Sequence, residues 1–133
     1  MKKLFAIIFI LFVFATISQA QVFSTTAGGE WDQTTTWVNG IAPSETDSVI
    51  IQGPVRLYFD VLTIKHLQIT ADGSLQSGWE SILNVTGNVW MDGPVNCGEG
   101  NFEFKIGGNV NMNADWLGPI TFTGTTPFAH VVV

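Results

Sequence analysis

Two segments of this chain read as one unit written twice. Leu83-Asn84-Val85-Thr86-Gly87-Asn88-Val89-Trp90-Met91-Asp92-Gly93 lies over Phe104-Lys105-Ile106-Gly107-Gly108-Asn109-Val110-Asn111-Met112-Asn113-Ala114 at an offset of 21 residues. In both copies an apolar residue or glycine recurs at every second position, which is the period of a strand whose side chains alternate between two faces. A strand-period repeat of roughly 20 residues is what a stack of β-coils demands, because each coil can bury its inner face only against the coils beside it. The expected class is therefore all-β, a β-solenoid of about five coils.

An earlier and looser copy, Ile69-Thr70-Ala71-Asp72-Gly73-Ser74-Leu75, matches Val89-Trp90-Met91-Asp92-Gly93-Pro94-Val95 at an offset of 20. Alternation then predicts an inner column of Ile69, Val89 and Val110 and another of Ala71, Met91 and Met112. The outer columns become Gln68, Asn88 and Asn109; Thr70, Trp90 and Asn111; and Asp72, Asp92 and Asn113. Ten short strands are expected between Gly, Asn, Asp and Pro turns, the first at 47–52 and the last at 120–123, and no window shows apolar residues at helical spacing.

The first twenty residues are a separate object. Lys2 and Lys3 precede an apolar run from Leu4 to Ile17, and Ser18-Gln19-Ala20 supplies a small-residue exit. That pattern predicts a secretory signal peptide over 1–20, cleaved after Ala20, with no membrane insertion afterwards, since the run is short for a hydrocarbon core about 30 Å thick. Cleavage removes two of the five basic residues and none of the eleven acids, which leaves three cations, Arg56, Lys65 and Lys105, and a net charge of −8. So acidic a surface does not neutralise a phosphate backbone, which argues against a nucleic-acid partner. With Cys97 alone there is no internal disulfide, and a buried apolar role is expected for it.

Residues 21–46 have a different texture and read as an amino-terminal cap, with the coils running from 47 to 133. Trp31 and Trp37 are the bulky material that an exposed first coil needs over its apolar end and its strand edges. The order Gly28-Gly29-x-Trp31, Thr36-Trp37, Gly40-x-x-Pro43 and Asp47-x-Val49-x-Ile51 resembles the opening of secreted bacterial parallel β-helix proteins. It is more loosely similar to the eight-glycine extracellular domain. The resemblance spans roughly half of the chain and implies a right-handed parallel β-helix entered through the tryptophan segment, in a family whose members are often the front part of long surface proteins, adhesins or polysaccharide-processing enzymes. Such proteins usually run on for hundreds of residues, so a longer parent is expected. The closing Val131-Val132-Val133 would otherwise be an edge for self-association.

No catalytic set is expected. Nucleophilic hydrolysis needs a nucleophile, a histidine base and an orienting acid, yet the two histidines, His66 and His130, lie far apart in the chain and no Gly-x-Ser-x-Gly turn occurs. Two histidines and one cysteine without ligand spacing do not make a zinc site. Asp72 and Asp92, as outer neighbours, would repel unless a cation joined them, and calcium is the ion that takes carboxylate and carbonyl oxygens. Against this, both are the first residue of an Asp-Gly turn dipeptide. The exposed aromatics give the clearer sign of binding. Trp90 should point outward between inward Val89 and Met91, while Trp79 and Trp116 stand in turn-like surroundings. Indole rings stack on the apolar faces of sugars and neighbouring amides bond the hydroxyls. The expected function is a secreted or cell-surface, non-enzymatic β-solenoid scaffold that holds extracellular polysaccharide or acts as an adhesive. The competing readings are the front section of a polysaccharide lyase or glycoside hydrolase with its catalytic coils beyond residue 133, and a self-assembling structural subunit.

Overall fold

A computed structural model describes residues 20–58, 61–77, 80–96, 102–114, 116–117 and 120–122. Residues 1–19, which hold all but the last position of the expected leader, lie outside these residues, as do Trp79, Cys97, His130 and the terminal valines. Among the described residues the protein is all-β, with one 3-10 turn at Thr34–Thr36 as its helical element.

The chain visits three parallel sheets in the same order on each circuit. The opening circuit contributes β1 (Gln21–Phe23) to the first sheet and β2 (Gly29–Glu30) to the second. The next runs through β3 (Ser48–Ile51), β4 (Pro54–Leu57) and β5 (Val61–Ile64), one strand for each sheet. It is followed by β6 (His66–Ile69), β7 (Ser74–Ser77) and β8 (Ser81–Val85), then by β9 (Val89–Met91), β10 (Val95–Asn96) and β11 (Phe102–Ile106). The last circuit is β12 (Val110–Met112), β13 (Trp116–Leu117) and β14 (Ile120–Phe122). The sheets are ordered β1-β3-β6-β9-β12, β13-β10-β7-β4-β2 and β14-β11-β8-β5, so each strand pairs with its counterpart one circuit away.

The residues explain why these strands form. Ile82, Asn84, Glu103 and Lys105 stand outward between Leu83, Val85, Phe102, Phe104 and Ile106, which are buried, and β8 lies on β11 over five registered pairs. Large faces small within the core: Phe102 pairs with the fully buried Ser81, and its ring meets Phe104 edge-on at 5.9 Å. Such pairing of large with small side chains is how a protein interior reaches close packing. The expected 21-residue register of Leu83 over Phe104 and Val89 over Val110 is present.

The cap segment is itself strand-bearing, because β1 pairs with β3 and β2 with β4. Between β2 and β3 the two tryptophans close the core. Trp31 and Trp37 are 3% and 2% exposed and meet edge to face at 5.0 Å, and the Trp37 indole Nε1 donates to the Trp31 carbonyl at 2.8 Å. A buried indole N–H needs such an acceptor, and the local fold supplies it.

The looser repeat is corrected by two residues. Leu67, not Ile69, pairs with Val89, and Ile69 pairs with Met91, an offset of 22 residues; Leu75 still pairs with Val95 at 20. Ala71 and Asp72 are therefore surplus to the following circuit and turn outward, both exposed. The inner columns become Leu67, Val89 and Val110, and Ile69, Met91 and Met112. A shift of two preserves the faces, because the side-chain period is two.

Candidate functional site

The outer face of the first sheet gathers the chain's binding chemistry. Its leading column begins with Gln21, Ser48 and His66. Two asparagines continue it at the corner where the chain enters the sheet. The backbone N–H of Asn88 donates to His66 Nδ1 at 2.9 Å, and that of Asn109 donates to Asn88 Oδ1 at 2.9 Å. An imidazole that accepts at Nδ1 carries its proton on Nε2. The expected amide column of Gln68, Asn88 and Asn109 is thus corrected to His66, Asn88 and Asn109. The His66 and Asn88 side chains each cap a backbone donor of the next circuit.

This corner also shows why Gly-Asn occurs twice. A Cβ on Gly87 would come within 2.3 Å of the His66 ring, and one on Gly108 within 2.4 Å of Asn88 Oδ1. Real Cβ atoms do not approach so closely, so the glycine lies flat on the ladder side chain of the preceding circuit.

The middle column is Phe23, Ile50, Gln68, Trp90 and Asn111. Trp90 points outward as expected and is 42% exposed, with its indole 6.2 Å from the His66 ring and tilted by 49°. A hollow of about 380 Å³ lies beside it, lined by Gln21, Gln68, Trp90, Asp92, Asn111 and Asn113. A second hollow of about 190 Å³ shares Gln21, Gln68 and Trp90 and reaches Ser48, Ile50 and His66. Together they make a shallow groove with one large apolar ring among amides.

Asp92 stands at the trailing edge, and its Oδ1 accepts from Asn113 Nδ2 at 2.9 Å. The expected column of Asp72, Asp92 and Asn113 is corrected in its first member. Asp92 donates its backbone N–H to the Ile69 carbonyl, as Thr70 does to Ile51, so Asp92 follows Thr70, while Asp72 sits in the two-residue excess. With that register the carboxylate pair that invited calcium is not formed from stacked neighbours. No three His, Cys, Asp or Glu side chains gather as a metal-ligand group among the described residues.

No protein-family model, curated protein or solved structure matches the chain. The groove must be read from its own chemistry.

The three candidate tryptophans are not brought onto one sheet. Trp90 is on β9 of the first sheet, while Trp116 is placed by its backbone on β13 of the second, opposite Val95. Trp79 lies outside the described residues. Of the groove's lining, the sequence reading did not connect Gln21 to Trp90, because no strand was expected over 21–23. A missed signal would have corrected the register: Gly53-Pro54-Val55 and Gly93-Pro94-Val95 repeat 40 residues apart at the corner leaving the first sheet, with Gly73-Ser74-Leu75 between them.

Proposed function

We propose that this chain is a secreted or cell-surface, non-enzymatic β-solenoid scaffold, a right-handed parallel β-helix that holds polysaccharide along the outer face of its first sheet. The handedness follows the strong preference of parallel strand-to-strand crossovers for the right-handed path. One observation carries the functional reading: Trp90 presents an exposed indole in a groove bordered by the amides of Gln68, Asn111 and Asn113. A sugar ring has apolar C–H faces that stack on an indole and a rim of hydroxyls that bond amides and carboxylates, so this grouping suits it on both counts. The non-enzymatic part rests on the groove's ionisable groups, since Asp92 is engaged by Asn113 and His66 Nδ1 by the Asn88 backbone. Among the described lining residues Asp92 is also the one carboxylate, whereas glycoside cleavage by an acid and base pair needs two.

The test is affinity electrophoresis of the mature protein through gels containing soluble polysaccharides, with Trp90→Ala as the comparison. Stacking on one indole predicts a loss of at least about tenfold in affinity, the equivalent of ~1.4 kcal/mol. Because Trp90 lies outside the core, the variant should keep the parent's far-ultraviolet circular dichroism. Undiminished retardation of a folded Trp90→Ala protein would remove the groove from consideration.

A further inference from the structure

We infer that the Trp90 groove takes a neutral glycan and discriminates against uronate-bearing chains, with Asp92 as the residue that sets this selectivity. The inference rests on the groove being a glycan site and adds the class of sugar. The charges around the groove carry it. Among the described residues that line either hollow, Asp92 is the one carboxylate, and none is a lysine or arginine. Of the three cations outside the leader, Arg56 is on β4 of the second sheet and Lys105 on β11 of the third, while Lys65, at the corner before His66, is not among the residues that line either hollow. Lys105 is also paired with Glu103 at 3.5 Å. A uronate carboxylate laid on Trp90 therefore meets amides and a like charge, and no guanidinium or ammonium of the groove lining to neutralise it.

Asp92 is also held in place for this role. Its Oδ1 is bonded to Asn113 Nδ2, which fixes the carboxylate at the groove's edge, and an ionised carboxylate keeps further lone pairs for sugar hydroxyls. A hydroxyl donates to it; a uronate carboxylate has no proton to give. The same side chain thus rewards a neutral ring and repels an acidic one.

The experiment measures binding of a neutral glucan oligosaccharide and a uronate oligosaccharide of equal length to the mature protein by isothermal titration calorimetry. It is run at about 0.15 M salt, where the Debye length of ~8 Å screens the chain's remote acids and leaves Asp92 as the nearby charge. The neutral sugar should bind about fivefold or more tighter than the uronate, the factor expected for two like charges in contact in water. Asp92→Asn keeps an oxygen to accept from Asn113, and it should bring the ratio of the two affinities toward one. A uronate that binds the parent as tightly as the neutral sugar overturns the inference while leaving the glycan site standing. So does an unchanged ratio in a folded Asp92→Asn protein. If neither sugar binds, or if Trp90→Ala binds both as the parent does, the glycan site itself falls and this selectivity with it.

Discussion

Each circuit has one corner where it enters the first sheet and one where it leaves, and the two corners weigh side-chain and backbone bonds differently. At the entering corner a side chain reaches up to a backbone donor, His66 to Asn88 and Asn88 to Asn109, and a glycine lies against each ladder group. At the leaving corner side-chain bonds occur in the early circuits, Gln52 N to Ser24 Oγ and Thr70 Oγ1 to the Ile51 carbonyl, but the donors that follow Thr70 are met by backbone, Gly73 N by the Thr70 carbonyl and Ser74 N by the Gly53 carbonyl. Both corners pack glycine tightly, and both vary in length, the entering corner by one residue between Ile64-to-Leu67 and Val85-to-Val89 and the leaving corner by two. The leaving corner is Gln52-Gly53-Pro54 in one circuit and Asp92-Gly93-Pro94 in another, while the circuit between them inserts Ala71 and Asp72. The one-residue change at the entering corner falls before the ladder, which keeps its place because His66, Asn88 and Asn109 each directly precede the inward Leu67, Val89 and Val110. Past Thr70 the leaving corner is closed by backbone bonds, and such a turn can eject extra residues into solvent.

The strongest way to break this comparison is a single methyl group at the entering corner. Gly87→Ala drives a Cβ into the His66 ring and to 2.6 Å from the Lys65 carbonyl, a backbone atom that cannot swing aside. Overpacking of this kind should cost about 2–3 kcal/mol, read as a lower urea midpoint with an unchanged slope. A midpoint equal to the parent's would mean that the corner is not packed as described.

A smaller effect tests the ladder bond itself. His66→Ala removes the acceptor of the half-buried Asn88 N–H and should cost about 1–2 kcal/mol. His66→Asn installs the side chain that occupies this place in the next two circuits, and it should recover most of that loss in the same unfolding measurement. If asparagine were as damaging as alanine, the ladder would be no more than a coincidence of geometry.

How much was legible follows from the same contrast. The entering corner carries Gly-Asn twice with strict alternation after it, so the register of Leu83 over Phe104, the outward Trp90 and the inward Val89 and Val110 could all be read. At that corner His66 was hidden because an imidazole does the work of an amide, an equivalence of acceptor atoms and not of residue type. The leaving corner misled the reading. Asp72-Gly73 matches Asp92-Gly93 letter for letter, and carrying that match backward across the surplus pair placed Ile69 over Val89. Four strands escaped notice, β1, β2, β10 and β13, each of two or three residues. Strands so short have no period of their own and form because a neighbouring circuit offers paired donors and acceptors. Gln21 of the groove sits on one of them, so that part of the site depends on tertiary pairing. The Trp90 ring was legible, but its partners across β1, β6 and β12 were only partly so.

The mildest change sharpens the comparison most. Deleting Ala71 and Asp72 turns Thr70-Ala71-Asp72-Gly73-Ser74-Leu75 into Thr70-Gly73-Ser74-Leu75, which matches Asp92-Gly93-Pro94-Val95 position for position. Gly93 already lies against the carbonyls of both Thr70 and Gly73, so the two ends that must be joined meet beneath one residue. The deletion removes exposed groups and shortens a loop, and each contributes little to stability. The urea midpoint should therefore move by no more than the equivalent of ~0.5 kcal/mol. Two whole residues would then weigh less at the leaving corner than one methyl group at the entering corner. A deletion as costly as Gly87→Ala would instead show that the outward pair holds the turn together, and that the corners differ in sequence but not in kind.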